Sequence, residues 1–241
     1  MYSKIPMPKT DWNEKNMRYS MCFFPLIGVV IGVLTYLWCF ICTQLDFGNI
    51  LRVAGYLVIP VLVTGGIHLD GFIDTQDALS SYKPREEKLE ILKDSHIGAF
   101  ALISCIVYYI IQAGIWSELD EKSIVTLAAG YILSRSMSGH AVVTFDCAKN
   151  SGLAHAFSDA SQKKVVGNVT FLLAGLSMMV MIHFGGLIGV SAIVGAIITF
   201  CFYGHVSYKE FGGITGDLAG WFLQLCELVM AIFALVGQLI F

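Results

Sequence analysis

Long apolar runs alternate with short polar ones along this chain, and the runs are longer than strands. Stretches 21–43, 51–69, 97–117, 124–146, 169–184, 186–203 and 214–240 hold few charges. A helix that crosses a bilayer needs ~20 mostly apolar residues. The region from 169 to 203 exceeds one crossing, and His183, Gly185 and Gly186 offer a tight break inside it. The pattern predicts an all-α, polytopic integral membrane protein with about seven transmembrane helices, folded as one domain over residues 1–241.

The positive charges set an orientation, because cytoplasmic segments keep an excess of Lys and Arg. Twelve of the 15 fall on alternate segments: Lys4, Lys9, Lys15 and Arg18; Lys83, Arg85, Lys88 and Lys93; Lys149, Lys163 and Lys164; and Lys209. Only Arg52 and Lys122 belong to the other segments, and Arg135 lies inside a span. The N-terminus is therefore expected in the cytoplasm of a cell (inner) membrane protein, with the three long polar loops on that face. The first twenty residues are polar and precede a long apolar span without a small-residue cleavage site, which does not read as a signal peptide.

Composition agrees. Hydrophobic residues make up 56% and charged residues 14% of the chain, against ~25% charged in an average soluble protein. Mean hydropathy is +0.71. These values exclude a disordered chain and a small disulfide scaffold. A net charge of −3 gives no reason to expect nucleic acid as a partner. The seven Cys are scattered, and Cys39 and Cys42 lie in an apolar run, where Cys acts as a small packing residue.

The candidate chemistry sits in polar residues near or inside the spans. In GGIHLDGFIDTQDAL, residues 65–79, Asp70, Asp74 and Asp77 are spaced i, i+4, i+7, which places them on one stripe of a helix. Aligned carboxylates repel unless a cation lies between them, and an oxygen-only set suits Mg²⁺ or Mn²⁺ rather than zinc. A solvated helix end is the plainer reading. His68 falls on the opposite side and is expected to be structural. Lys93, Asp94, Ser95 and His96 precede the third span, either as interfacial residues or as members of the same site. Arg135 needs a partner at its depth: an intramembrane carboxylate, or phosphate oxygens. Glu227 needs pairing or a role for the same reason. GGITGD, residues 212–217, opens the last span with glycines that admit close backbone approach and amides that attract phosphate; Asp217 follows as a candidate ligand. Lys149, Lys163 and Lys164 are ordinary cytoplasmic charges or phosphate contacts.

Acidic residues, an Arg and a Gly-rich helix start at one membrane face are the parts of metal-assisted phosphoryl transfer. GGIHLDGFIDTQDAL, LKDSHIGAF and GGITGD, with the early FFPLIGVVIG, resemble the membrane-bound cobalamin synthases, in family order and over nearly the whole chain. The resemblance implies a Mg²⁺-dependent reaction. Adenosylcobinamide-GDP meets α-ribazole or α-ribazole 5′-phosphate, a ribazole 5′-hydroxyl displaces GMP, and adenosylcobalamin or its 5′-phosphate results. It maps the acidic motif onto Asp70, Asp74 and Asp77 and the Lys-Asp-Ser motif onto Lys93, Asp94 and Ser95. It maps the Gly-rich motif onto Gly212, Gly213, Thr215, Gly216 and Asp217, and the span-four Arg onto Arg135. On that reading Asp70, Asp74, Asp77 and Asp217 hold metal, Arg135 and Lys93 stabilise phosphoryl charge, and Asp94 or His96 takes the hydroxyl proton. Three positions depart from the pattern: Ala78 for Gly, His96 for Arg and Gln224 for Glu.

The competing readings each lack a feature. The CDP-alcohol phosphotransferase signature fails, because Pro84 stands where its Gly belongs. A cation transporter would place its acids near midplane on broken helices in two related halves, and no repeated half is visible. A membrane scaffold would not require the aligned Asp.

Overall fold

A computed structural model describes Ser3 and residues 17–94, 96–149 and 151–241. A 3-10 turn, Ser20–Phe23, leads into α1, Phe24–Gln44. Then come α2, Asn49–Thr64; α3, Ile67–Ser80; the short α4, Arg85–Ile91; and α5, Ala99–Glu118. The chain continues through α6, Glu121–Thr144; the short α7, Leu153–Ala160; α8, Lys163–Gly185; and α9, Leu187–Val206, which ends in a π turn, Ser207–Phe211. Last is α10, Gly216–Ile240. Among the described residues the only non-helical pairing is an isolated bridge between Cys147 and Ile214.

The expected all-α membrane architecture is present, and its count of crossings is refined. Five helical segments are long and apolar enough to cross a bilayer: Ser20–Gln44, Ala99–Glu118, Lys163–Gly185, Leu187–Phe211 and Gly216–Ile240. The stretch expected as a second straight span breaks instead. Gly65 and Gly66 both adopt the left-handed backbone, φ 70° and 84°, which ends α2 and starts α3 at a 95° bend. Counting that pair as one crossing gives six. The break near 185 falls where expected, with Gly186 at φ 58° between α8 and α9.

The fourth expected span, 124–146, is α6, the central helix of the bundle. Its 24 residues give about 36 Å of length, yet its Ser, Thr, Arg and His make it too polar to qualify alone. It needs no apolar coat because α1, α8, α9 and α10 pack around it. Small residues permit the approach: a methyl on Gly28 would lie 2.3 Å from the Tyr131 carbonyl oxygen, and one on Gly32 2.3 Å from that of Ala128. The outward faces of α1, α5 and α8 instead expose Leu37, Ile103, Ile110, Phe171 and Leu172, as lipid contact requires. All seven cysteines are free, and Cys39 and Cys42 are buried in α1.

Two polar assemblies lie inside the bundle. Arg135, fully buried on α6, is ion-paired with Glu227 of α10, donates to the Ser134 hydroxyl at 2.9 Å, and lies 5.3 Å from the centre of the Tyr131 ring. This is the pairing that their depth demands. Across the bundle, Trp116, Gln112, Tyr108 and Gln224 form a ladder of three 2.8 Å side-chain hydrogen bonds joining α5 to α10. Gln224 thus accepts from the Tyr108 hydroxyl through its amide oxygen.

Removing one member of a buried ion pair strands the other, at about 3–5 kcal/mol, whereas replacing both with apolar groups is close to neutral. Glu227→Ala should therefore lower the thermal unfolding midpoint of the detergent-solubilised chain by roughly 10 °C. The double variant Arg135→Met, Glu227→Met should recover most of that loss. Equal midpoints for the single and double variants would contradict the pairing.

Candidate active site

The site is built where α3 crosses the start of α10. The two backbones touch through glycines. A methyl on Gly71 would lie 2.7 Å from the Asp217 carbonyl oxygen and 2.9 Å from its Cα, and one on Gly220 would lie 2.9 Å from the carbonyl oxygen of His68. That contact brings Asp70, just before Gly71, to the wall of the same cavity as Asp217. Asp74, one turn further along α3, lies within electrostatic reach of Asp70, Asp217 and Asp77. The helical stripe expected of the three Asp is therefore present, and Asp217 joins it.

Two features hold the start of α10 in place. Thr215 caps the helix, its hydroxyl accepting from the Leu218 amide at 3.2 Å. The Gly-rich turn is pinned to the segment after α6: the Ile214 amide donates to Asp146 O at 2.8 Å, and the Ala148 amide to Ile214 O at 2.9 Å. Gly212 and Gly213 have φ of 72° and 152°. A side chain at 213 would meet the Asp146 carbonyl oxygen at 2.5 Å, and one at 212 would meet the guanidinium of Arg85. Gly216 has open space at its Cα and borders the cavity.

The four carboxylates stand close together without a directly paired cation. Among the described residues none of Asp70, Asp74, Asp77 and Asp217 forms an ion pair with Lys or Arg. Asp77 fills the space beside Gly98, where a side chain would come within 1.9 Å of its Oδ1. Asp217 keeps one local partner, the Thr215 hydroxyl at 3.5 Å, and Lys149 is within electrostatic reach of it. Burial and the neighbouring Lys93 charge hold the Lys149 ammonium below the usual lysine range. Lys149 donates to Leu89 O, and Lys88 pairs with Glu210.

The donor chemistry fits a hard divalent cation. Among the described residues no three His, Cys, Asp or Glu side chains form a ready-made metal cage. Mg²⁺ does not require one, since it keeps waters and typically takes one or two carboxylates plus phosphate oxygens. Asp70, Asp74 and Asp217 are the carboxylates placed to supply them.

Among the described residues, the other expected residues make no ion pair with these carboxylates. Lys93 pairs with Glu90 at 2.7 Å, and Asp94 accepts from the His96 amide at 3.0 Å and meets its ring Nδ1 at 2.7 Å. All three side chains are exposed, with His96 at 90%. Ser95 lies outside the described residues, as do Lys4, Lys9 and Lys15. Arg135 is committed to Glu227. Three residues near the site lie outside the expected functional set: His68, expected to be structural, which lines the cavity with Asp70; Ser138, one of many small residues in α6; and Arg85, which opens α4 and faces Gly212.

The crossing has a direct test. Gly71→Val and Gly220→Val should each cost about 1–3 kcal/mol through overpacking, seen as a lower unfolding midpoint. Gly114→Ala, where an added methyl meets nothing, should not lower it. Unchanged midpoints for Gly71→Val and Gly220→Val would mean the helices are not in backbone contact.

Comparison with known proteins shows the family. The sequence pattern of the cobalamin-5-phosphate synthase family matches residues 1–235. The adenosylcobinamide-GDP ribazoletransferase of Lachnoclostridium phytofermentans is 42% identical over 238 residues, covering 99% of this chain and 91% of that relative. The protein of the same name from Clostridium perfringens strain SM101 is 35% identical over 242 residues, covering 94% and 91%. That from Fusobacterium nucleatum is 28% identical over 260 residues, covering 97% and 94%. No solved structure matches the chain. The chain belongs to the cobalamin-5-phosphate synthase family and is a transferase of late cobalamin biosynthesis.

Proposed function

We propose that this chain joins adenosylcobinamide-GDP to α-ribazole or α-ribazole 5′-phosphate by Mg²⁺-assisted phosphoryl transfer at the cytoplasmic face of the cell membrane. The observation that supports this best is the shared cavity of Asp70 and Asp217, set by the backbone crossing of two motifs far apart in the chain. The relatives' names supply the two substrates. The alternation of Lys and Arg supports the cytoplasmic face.

The reaction forms one P–O bond and breaks another. A ribose hydroxyl of the ribazole attacks the phosphorus that bears the cobinamide ester. The bond from that phosphorus to the GMP oxygen breaks, and GMP leaves. The 5′-hydroxyl expected from the resemblance is already esterified in the phosphorylated acceptor, so a nucleophile common to both acceptors is a secondary ribose hydroxyl.

When bound, Mg²⁺ neutralises diphosphate charge and polarises the phosphorus under attack. Asp70, Asp74 and Asp217 would hold it, with Asp77 at the margin beside Gly98. Gly212, Gly213, Thr215 and Gly216 shape the turn against which a phosphate can rest, and Lys149 and Arg85 border that turn as cations. Lys93, Asp94 and His96 precede α5, whose N-cap residue Gly98 lies beside Asp77. Asp94, already bonded to His96, is the base we assign to the hydroxyl proton. Arg135 acts from within the bundle, by holding α6 to α10.

Purified chain in detergent, given both substrates, should release GMP and corrinoid product in equal amounts with Mg²⁺, and neither with EDTA. Release that persists in EDTA would remove the metal from the account. Asp74→Ala should reduce turnover by at least about 100-fold, on the scale of removing a charge-stabilising group at phosphoryl transfer, while the protein still inserts and remains monodisperse. An Asp74→Ala chain with ordinary turnover would overturn the carboxylate cluster as the catalytic centre.

A further inference from the structure

A cavity of about 200 Å³ opens beside Asp70 and Asp217, at the end of the bundle where α1 and α10 begin and α6 ends. Its walls away from the two carboxylates are apolar and include Met21, Phe24, Val142 and Leu223. Two polar side chains interrupt them, and both are unsatisfied. His68 is 5% exposed, and neither ring nitrogen has a hydrogen-bond partner. Ser138 is 1% exposed, and its hydroxyl has none. Buried polar groups are nearly always hydrogen-bonded, and each exception calls for an explanation. Two such exceptions on the wall of one cavity share an explanation if a ligand completes them.

The cavity limits what that ligand can be. An apolar cavity of ~150 Å³ admits a single aromatic ring, so this one takes an aromatic group of about that size or slightly larger. A corrin macrocycle is far too large. Guanine presents polar atoms along most of its edge and would leave several unpaired against Met21, Val142 and Leu223. A benzimidazole-type base has an apolar flat body and a single free ring nitrogen. A neutral imidazole offers one N–H donor and one acceptor, so the N–H of His68 can meet that nitrogen, and the Ser138 hydroxyl adds a second contact at the rim. The His68 ring already stands edge-on to Phe24, with centres 5.8 Å apart, which fixes its direction.

We propose that this cavity is the subsite for the aromatic base of the nucleoside acceptor, with His68 as its specificity-determining contact. The ribose then emerges towards Asp70 and Asp217, where its hydroxyl meets the phosphorus. The identity of the ligand rests on the transfer reaction proposed above. The structural part, an unpaired imidazole at the wall of an apolar cavity, does not.

The test separates the two claims. KM for α-ribazole and for adenosylcobinamide-GDP is measured on the wild-type chain and on His68→Ala, His68→Gln and Ala154→Phe. Ala154 lies on the short α7 and lines the cavity, so Phe there should fill it. His68→Ala and Ala154→Phe should raise KM for α-ribazole about tenfold, the effect of one lost buried hydrogen bond or more. KM for adenosylcobinamide-GDP should change less than about twofold, and His68→Gln, which keeps a donor, should recover part of the loss. An unchanged α-ribazole KM, or an effect on the other substrate instead, overturns the subsite. Equilibrium dialysis of α-ribazole against the same proteins decides the matter if the wild type releases no GMP. Binding by wild type that His68→Ala and Ala154→Phe weaken supports the cavity even though the reaction would be wrong. No binding by the wild type overturns it. If His68→Ala does not fold, Ala154→Phe carries the test.

Discussion

Contact between two backbones, at the crossing of α3 and α10, organises the functional end of this molecule. Gly71 and Gly220 have no side chains at the points where the helices meet. Any larger residue would push the helices apart and move Asp70 away from Asp217. The remaining features of this end serve that contact. The two left-handed glycines at 65 and 66 turn α3 through 95° so that it can lie across α10 instead of continuing α2. Thr215 and the short bridge to residues 146–148 fix where α10 begins.

The interior solves a different problem. A helix with Arg135 and many hydroxyls cannot face lipid, so α6 is enclosed and its neighbours supply the lipid surface. Enclosure demands partners for polar groups, and at α10 Glu227 pairs with Arg135 through one guanidinium nitrogen while Gln224 closes the Trp116–Gln112–Tyr108 ladder. The same helix, α10, thus carries Asp217 at its start and both polar anchors further in. The anchors keep α10 in register against α6 and α5, and α10 in turn holds the site.

Much of this was legible in the sequence. The apolar runs fall on the observed helices, the i, i+4, i+7 spacing puts Asp70, Asp74 and Asp77 on one helix, and the depth of Glu227 calls for the partner it has. The break at 65–66 was harder to read. Gly-Gly inside an apolar run is compatible with a continuous crossing, and only the left-handed backbone of both residues makes it a corner. His68 was set aside because it points away from the Asp stripe. That inference holds for an isolated helix, but the cavity is walled by five segments, and a residue on another side of α3 can still line it. Ser138 and Arg85 had no local signal at all, since their positions matter only through helices and turns distant in sequence. Lys93, Asp94 and His96 are tied to the acids by the resemblance and by a shared membrane face; here Asp94 meets His96 and Lys93 meets Glu90.

The central claim is that Asp70 and Asp217, on separate helices, act on one ion at the substrate diphosphate. Electron paramagnetic resonance with Mn²⁺ in place of Mg²⁺ tests it most directly, on the purified chain with adenosylcobinamide-GDP bound. The account predicts protein-bound Mn²⁺ coupled to substrate phosphorus, with both signals lost in Asp70→Asn and equally in Asp217→Asn. Mn²⁺ that remains bound and coupled to phosphorus in either variant would contradict a shared site and separate the two motifs that the fold brings together.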